Sequence, residues 1–144
     1  MPRLDAERIA LWRQYCTWSD GLQRRIDQQL IDEHGLPLAW YDCLTAIRDA
    51  GGEMRVHELC EVLDVVPSSL SRRLDRMQEE GFVRRAQPPR REDRRAVTVS
   101  LTAGGRTRWR DANITYRRMV QQVFAHRLTD TDIAALQRVF TKFG

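Results

Sequence analysis

Val66–Val83, VPSSLSRRLDRMQEEGFV, is the stretch on which the fold turns. Pro67 suits the first turn of a helix, where its missing N–H costs nothing. Leu70, Leu74 and Met77 then recur at steps of four and three, which gives one apolar face. Gly81 marks the stop. Off that face lie Ser68, Ser69, Ser71, Arg72, Arg73 and Arg76. Glu79 and Glu80 fall in the last turn, a poor position for the helix dipole. They do leave the N-terminal half of the helix without negative charge.

Immediately upstream, Val56, Leu59, Cys60 and Leu63 follow at i, i+3, i+4 and i+7, a helix of two turns. Asp64-Val65-Val66 is a tight turn, and two short helices so joined make a helix-turn-helix. Downstream, Val83–Arg85 and the alternating, β-branched Ala96–Leu101 read as two strands. The ten residues between them, AQPPRREDRR, hold two prolines and four arginines. The prolines stiffen a hairpin tip and discourage pairing with other strands. Helix-turn-helix followed by a basic hairpin is a winged helix-turn-helix.

Long helices flank this lobe. Residues 5–33 carry Leu11, Tyr15, Trp18, Leu22, Ile26 and Leu30 at mostly three- and four-residue steps, and His34-Gly35 closes the pattern. That stripe is longer than a small core covers, so it is expected to pack on another long helix, as across a dimer. Pro37 opens a second helix over 37–50, ended by Gly51-Gly52, and Glu53-Met54-Arg55 is a short extended link. Thr102 caps a long helix over 102–127 with a stripe of Trp109, Ala112, Tyr116, Met119, Val120, Val123 and Phe124. Trp109 is assigned to the dimer face. Thr129 and Asp132 resemble a capping box for a last helix over 130–143. The expected fold is mainly α with a small β-hairpin wing, in one domain: a lobe at 37–101 between dimerisation helices at 1–34 and 102–144.

The 144 residues, 42% hydrophobic and 31% charged, are ordinary for a globular domain that buries a core. No apolar run approaches the roughly 18 residues that cross a bilayer. The first residues include acids ahead of any apolar stretch, unlike a secretory signal. A cytoplasmic protein is expected. Net charge is only +4, but residues 1–66 carry −5, residues 67–110 carry +7 and residues 111–144 carry +2. One segment therefore concentrates the positive charge, the footprint of nucleic-acid binding.

Three cysteines, Cys16, Cys43 and Cys60, lack metal-site or CxxC spacing and read as small hydrophobes, with a redox role for Cys16 as the alternative. His34, His57 and His126 form no metal-spaced cluster, and no metal or cofactor is expected. There is no glycine-rich phosphate loop, HExxH motif or nucleophile elbow, so the chain does not read as an enzyme.

Duplex DNA fits what remains. The helix suits the major groove, with serine hydroxyls for phosphate and base edges and arginine forks for guanine. Arg90, Arg91, Arg94 and Arg95 at the hairpin tip are placed for phosphate or the minor groove. The rival is a winged helix used only for protein contacts; it calls for apolar residues where this chain shows arginine.

The residues also resemble the MarR family of winged-helix transcriptional regulators. The resemblance spans about 36–106: Leu36-Pro37-Leu38 with Trp40-Tyr41-Asp42, then His57 to Leu63, Ser68 to Met77, Glu80 to Arg85, Asp93-Arg94-Arg95 and Leu101 to Gly105. It implies a homodimer on a pseudo-palindromic operator, acting as a repressor released by a small aromatic or anionic ligand. It implies that Asp93 holds the wing and that Arg95 enters the minor groove. By likeness to a urate-responsive branch it nominates Asp42, Arg73 and Arg85, with Trp12 or Trp18 of the first helix, as ligand residues; the alternative for Asp42 is a structural salt-bridge partner. Val66 departs from the family, which often has a capping serine there; the loss is worth about 1 kcal/mol.

Overall fold

The computed structural model describes residues 5–87 and 96–144. The hairpin-tip residues Arg90, Arg91, Asp93, Arg94 and Arg95 lie outside the described residues. Helix α1, Ala6–His34, starts at Asp5, whose carboxylate accepts from the N–H groups of Glu7 and Arg8, and ends at left-handed Gly35 (φ 61°). The Gly35 N–H bonds to the Ile31 carbonyl at 2.8 Å and that of Leu36 to Leu30, the double closure of a glycine-capped helix.

Helix α2, Leu38–Asp49, has no cap of its own, since Pro37 has no side-chain acceptor. Asp27 of α1 supplies it, accepting from the Leu38 N–H at 2.8 Å. Strand β1, Glu53–Arg55, leads into helix α3, Val56–Leu63. Asp64 takes a left-handed conformation (φ 52°) and turns the chain into helix α4, Pro67–Glu79. Strands β2, Val83–Ala86, and β3, Thr98–Leu101, form the wing. β3 is central in a three-stranded antiparallel sheet of order β1-β3-β2, with Met54 opposite Val99 and Val83 opposite Leu101. The short link after α2 is thus a full third strand.

Helix α5, Ala103–Val123, ends in a 3-10 turn, Ala125–Arg127, rather than continuing to 127 as an α-helix. Helix α6, Asp130–Phe140, begins with the expected capping box between Thr129 and Asp132 and stops three residues short of 143.

The core lies inside the lobe. Leu44 and Ile47 of α2, Leu59 of α3, Leu70, Leu74 and Met77 of α4 and Val99 of β3 are fully buried, and Leu30 and Leu36 join them from the end of α1. Two helices reach into this core from outside the lobe. α1 buries only Ile26 and Leu30, near its C-terminus. α5 contributes Ala112, Thr115, Met119 and Val123.

The start of α5 lies directly on the wing. The Thr102 N–H donates to the Phe82 carbonyl at 3.1 Å, and the Thr102 hydroxyl donates to the Gly81 carbonyl while accepting from the Gly105 N–H. A β-carbon at Gly105 would stand 2.0 Å from the Phe82 carbonyl oxygen, so only glycine allows this approach. No described helix is long and apolar enough to cross a membrane.

Candidate nucleic-acid interface

Helix α4 buries Leu70, Leu74 and Met77 and turns Ser68, Ser69, Ser71, Arg72 and Arg76 to solvent; Arg73 is half-buried. The side chains of Arg72 and Arg76 make no ion pair or hydrogen bond among the described residues. Their charges are therefore available. The helix start is equally open. Val66 is extended (φ −72°, ψ 146°) and offers no side-chain cap. Pro67 has no N–H, and the Leu70 N–H already bonds to the Val66 carbonyl at 3.1 Å. The N–H groups of Ser68 and Ser69 are left for an external acceptor, at the positive end of the helix dipole.

Trp40 of α2 completes this surface, and the sequence reading missed it as a site residue. With Ser69, Arg72, Arg73 and Arg76 it lines an open cleft of about 290 Å³. Its ring meets Phe82 edge-on at 6.3 Å, which fixes the indole beside the arginines. Its position at i−1 from buried Tyr41 was legible, but only the packing of α2 against α4 shows that it reaches the arginine face.

Of the residues nominated for a ligand, Asp42 and Arg73 are neighbours. Partial desolvation raises the Asp42 carboxyl above its usual range, and the Arg73 guanidinium opposes that rise. Arg73 also donates to the Cys43 sulfur at 3.5 Å. Arg85, by contrast, bonds Asp75 and Gln78 of α4. Trp18 packs on Phe124 at 5.8 Å.

Cys43 is buried and its thiol is pushed up by burial, as is that of Cys60. Both are therefore held as protonated, unreactive thiols, in keeping with the reading as small hydrophobes. Cys16 is half-buried. Among the described residues no group of three His, Cys, Asp or Glu side chains could hold a metal ion.

Trp109 is where the sequence reading needs correcting. It is not on an outward stripe but turned onto α2 of its own chain. Its indole N–H donates to the Thr45 hydroxyl at 2.9 Å, and its ring runs parallel to Tyr41 with centroids 6.4 Å apart. Tyr41 in turn stacks on Tyr116 at 4.5 Å and donates to the Asn113 side-chain oxygen at 2.8 Å. Burial pushes the Tyr41 phenol up to about 12, so it stays a neutral donor.

Residues 34–96 match the model of the MarR family. A MarR family transcriptional regulator from Streptomyces coelicolor, crystallised in complex with DNA, is 28% identical, with a TM-score of 0.87 over 99% of this chain and 89% of that one. Over these residues the chain is similar to the MarR family. A mutant of MarR from E. coli, complexed with operator DNA, is also 28% identical, with a TM-score of 0.80 over 97% of this chain and 99% of that one. AbsC, a MarR family transcriptional regulator from Streptomyces coelicolor, shares the fold at 22% identity, with a TM-score of 0.85 over 99% of this chain and 95% of that one. A search of curated protein sequences gives no match. By this likeness α4 corresponds to the recognition helix and β2–β3 to the wing.

Proposed function

We propose that the chain is a sequence-specific, duplex-DNA-binding transcriptional regulator that acts as a homodimer, a repressor released by a small ligand. α4 lies in the major groove with Ser68, Ser69, Ser71, Arg72, Arg73 and Arg76 toward phosphates and base edges. Arg90, Arg91, Arg94 and Arg95 serve a phosphate or the adjacent minor groove, and Asp93 holds the wing. The observation that carries this reading is the outer face of α4: guanidinium groups that bond no described residue and a helix start without a side-chain cap lie on one surface. A protein-docking helix would expose apolar residues there, whereas the apolar residues of α4 are buried.

The proposed dimer surface is the outer stripe of α1, with the C-terminal residues of the chain. Leu11, Trp12, Tyr15 and Trp18 are exposed, as are Ile114, Phe140 and Phe143. Exposed apolar residues at this density mark an interaction surface rather than a solvated one.

The test is a salt titration of binding to duplex DNA. Six to ten phosphate contacts across a dimer predict a fall in affinity of about 10³–10⁵ between 50 and 200 mM salt. No binding at the lower salt would end this reading.

A further inference from the structure

Val66 stands where the fold gains little from it. A side-chain oxygen is the favoured cap at a helix start, and valine is among the poorest choices there. Val66 opens α4 without a side-chain cap. It is also 60% exposed, so most of its side chain is lost to the core. The residues of this turn that pack on the core are Leu63 and Val65. Val62, 64% exposed, is left outside in the same way. Among the described residues of the lobe at 37–101, Val62 and Val66 are the exposed large hydrophobics; the rest lie on α1, on α5 and from α6 onward.

Val66 is also held in place. Proline disfavours the helical conformation in the residue before it, and Val66, ahead of Pro67, is extended (φ −72°, ψ 146°). The Leu70 N–H bonds to the Val66 carbonyl at 3.1 Å, and the Val65 N–H to the Cys60 carbonyl at 3.2 Å. A β-branched side chain is restricted at its first torsion. Two methyl groups are therefore presented at a set position, with little freedom left to lose on binding.

The surroundings select the occupant. Ser68, Ser69, Ser71 and Arg72 are exposed on the first turns of α4. A protein partner needs about 800 Å² on each side, far more than two valines among serines and arginines offer. The major groove presents one apolar group beside its hydrogen-bonding edges, the C5 methyl of thymine. We propose that Val66 reads sequence: its methyl groups pack against the C5 methyl of a thymine in each half-site of the operator. This rests on the reading of α4 as the helix in the major groove, and it adds a base preference to that reading. A serine at this position would cap the helix and leave the thymine methyl without an apolar partner.

The test starts with operator sequences selected by the full-length protein from a random duplex library. Affinity is then measured on the selected duplex and on copies in which deoxyuridine replaces thymine, one symmetric pair of positions at a time. The replacement keeps the base pair and removes only the methyl group. Burying one methyl group is worth about fourfold in an equilibrium constant, so one pair of positions across two half-sites should lose about tenfold or more. In Val66→Ala and Val66→Ser the same replacement should change affinity by less than about twofold. Val66→Ser should at the same time raise the urea midpoint, because it supplies the missing cap. A purely structural valine would show the opposite pattern, a lowered midpoint with the thymine preference intact. A selected operator that is indifferent to deoxyuridine at every position overturns the proposal alone, and so does a preference undiminished in both folded variants. A selection that yields no preferred sequence removes the sequence-specific reading, and the proposal with it.

Discussion

Arg85 on β2 forms an ion pair with Asp75 on α4 and also donates to the Gln78 side-chain oxygen at 3.1 Å. One guanidinium thus ties the first arm of the wing to the middle of the recognition helix. An ion pair this exposed contributes about 0–1 kcal/mol to stability. It also bridges α4 and the wing, the two elements proposed to meet DNA, and its loss is expected to loosen their relative placement. Asp75→Asn should therefore leave the melting temperature within about 4 °C of the parent. Operator affinity should fall by up to roughly tenfold, the equivalent of about 1.4 kcal/mol. Fluorescence anisotropy with a labelled operator checks the second figure; unchanged affinity would show that the pair does not set the wing.

The arginines of α4 and the wing should separate by their effect on salt dependence. Arg72→Ala removes an exposed guanidinium that bonds no described residue, so stability should be unchanged within about 0.5 kcal/mol. If Arg72 contacts a phosphate, affinity should fall evenly across DNA sequences and the log–log salt slope should drop by about one per protomer. If it reads a base, the loss should be about 1–3 kcal/mol and confined to operator sequences. Arg95→Ala is expected to lower the slope in the same way as a phosphate contact. Binding curves on operator and random duplex at several salt concentrations tell these apart, and no change on either duplex excludes Arg72 from the interface.

Gly105 allows the first turn of α5 to lie on the Phe82 carbonyl, and this contact seats α5 on the wing base. In Gly105→Ala the new methyl group would stand 2.0 Å from that oxygen. The backbone must then shift, at a cost of about 1–3 kcal/mol or more. An ordinary helix position would instead gain about 1 kcal/mol from the same change. The sign of the shift in a urea unfolding midpoint decides between the two, and a stabilised variant would show that α5 does not lie against the Phe82 carbonyl.

Much of this architecture was legible because local patterns dictate it. The steps of Leu70, Leu74 and Met77 give α4 its inner face, and Thr129 with Asp132 is a cap written entirely within four residues. What stayed hidden depends on contacts distant in sequence. Asp27 caps α2 from the neighbouring helix, and no spacing rule links it to Leu38. Trp109 belongs to a genuine apolar stripe, but periodicity gives only a face and not what covers it. The cover proved to be Tyr41 and Thr45 of the same chain. In the recognition surface, the serines and arginines were readable one by one, whereas Trp40 entered only through the packing of α2 on α4.

Glu33 links the end of α1 to α5 and makes stability depend on acid pH. The Thr115 hydroxyl and Gln29 amide donate to its carboxylate, and Arg118 pairs with it. His34 meets the same Thr115 hydroxyl at 2.7 Å. Since that hydroxyl donates its proton to Glu33, the His34 Nε2 atom must be the donor in the contact. The bonds from Thr115 and Gln29, with Arg118, lower Glu33 from 4.5 to about 2. Because the folded value is the lower one, the stabilisation is complete above about pH 4.5 and is lost as pH falls toward 2. The stability advantage of the parent over Glu33→Gln should be constant near neutral pH and shrink across that window. Urea midpoints measured from pH 7 downward test this, and an advantage that persists at pH 2 would contradict it.

The outer stripe of α1 and the inward Trp109 give opposite expectations for assembly. Trp12 is 64% exposed and Leu11 63%, and Trp12 lies against Tyr15 with ring centroids 6.0 Å apart. One helix face therefore presents an apolar surface that the described residues of its own chain leave uncovered. Charges placed there should be tolerated by the monomer, which loses no buried contact, and should oppose a helix-to-helix dimer that must desolvate them. The Leu11→Glu, Tyr15→Glu double variant is expected to sediment as a folded monomer and, as a consequence, to bind operator DNA weakly. Trp109→Phe should do the reverse: it gives up the hydrogen bond to Thr45, at about 1 kcal/mol, and remains a dimer. Sedimentation velocity on both variants tests the pair of expectations together. A dimer that survives the α1 charges would move the interface elsewhere, and dissociation by Trp109→Phe would restore that residue to the subunit boundary.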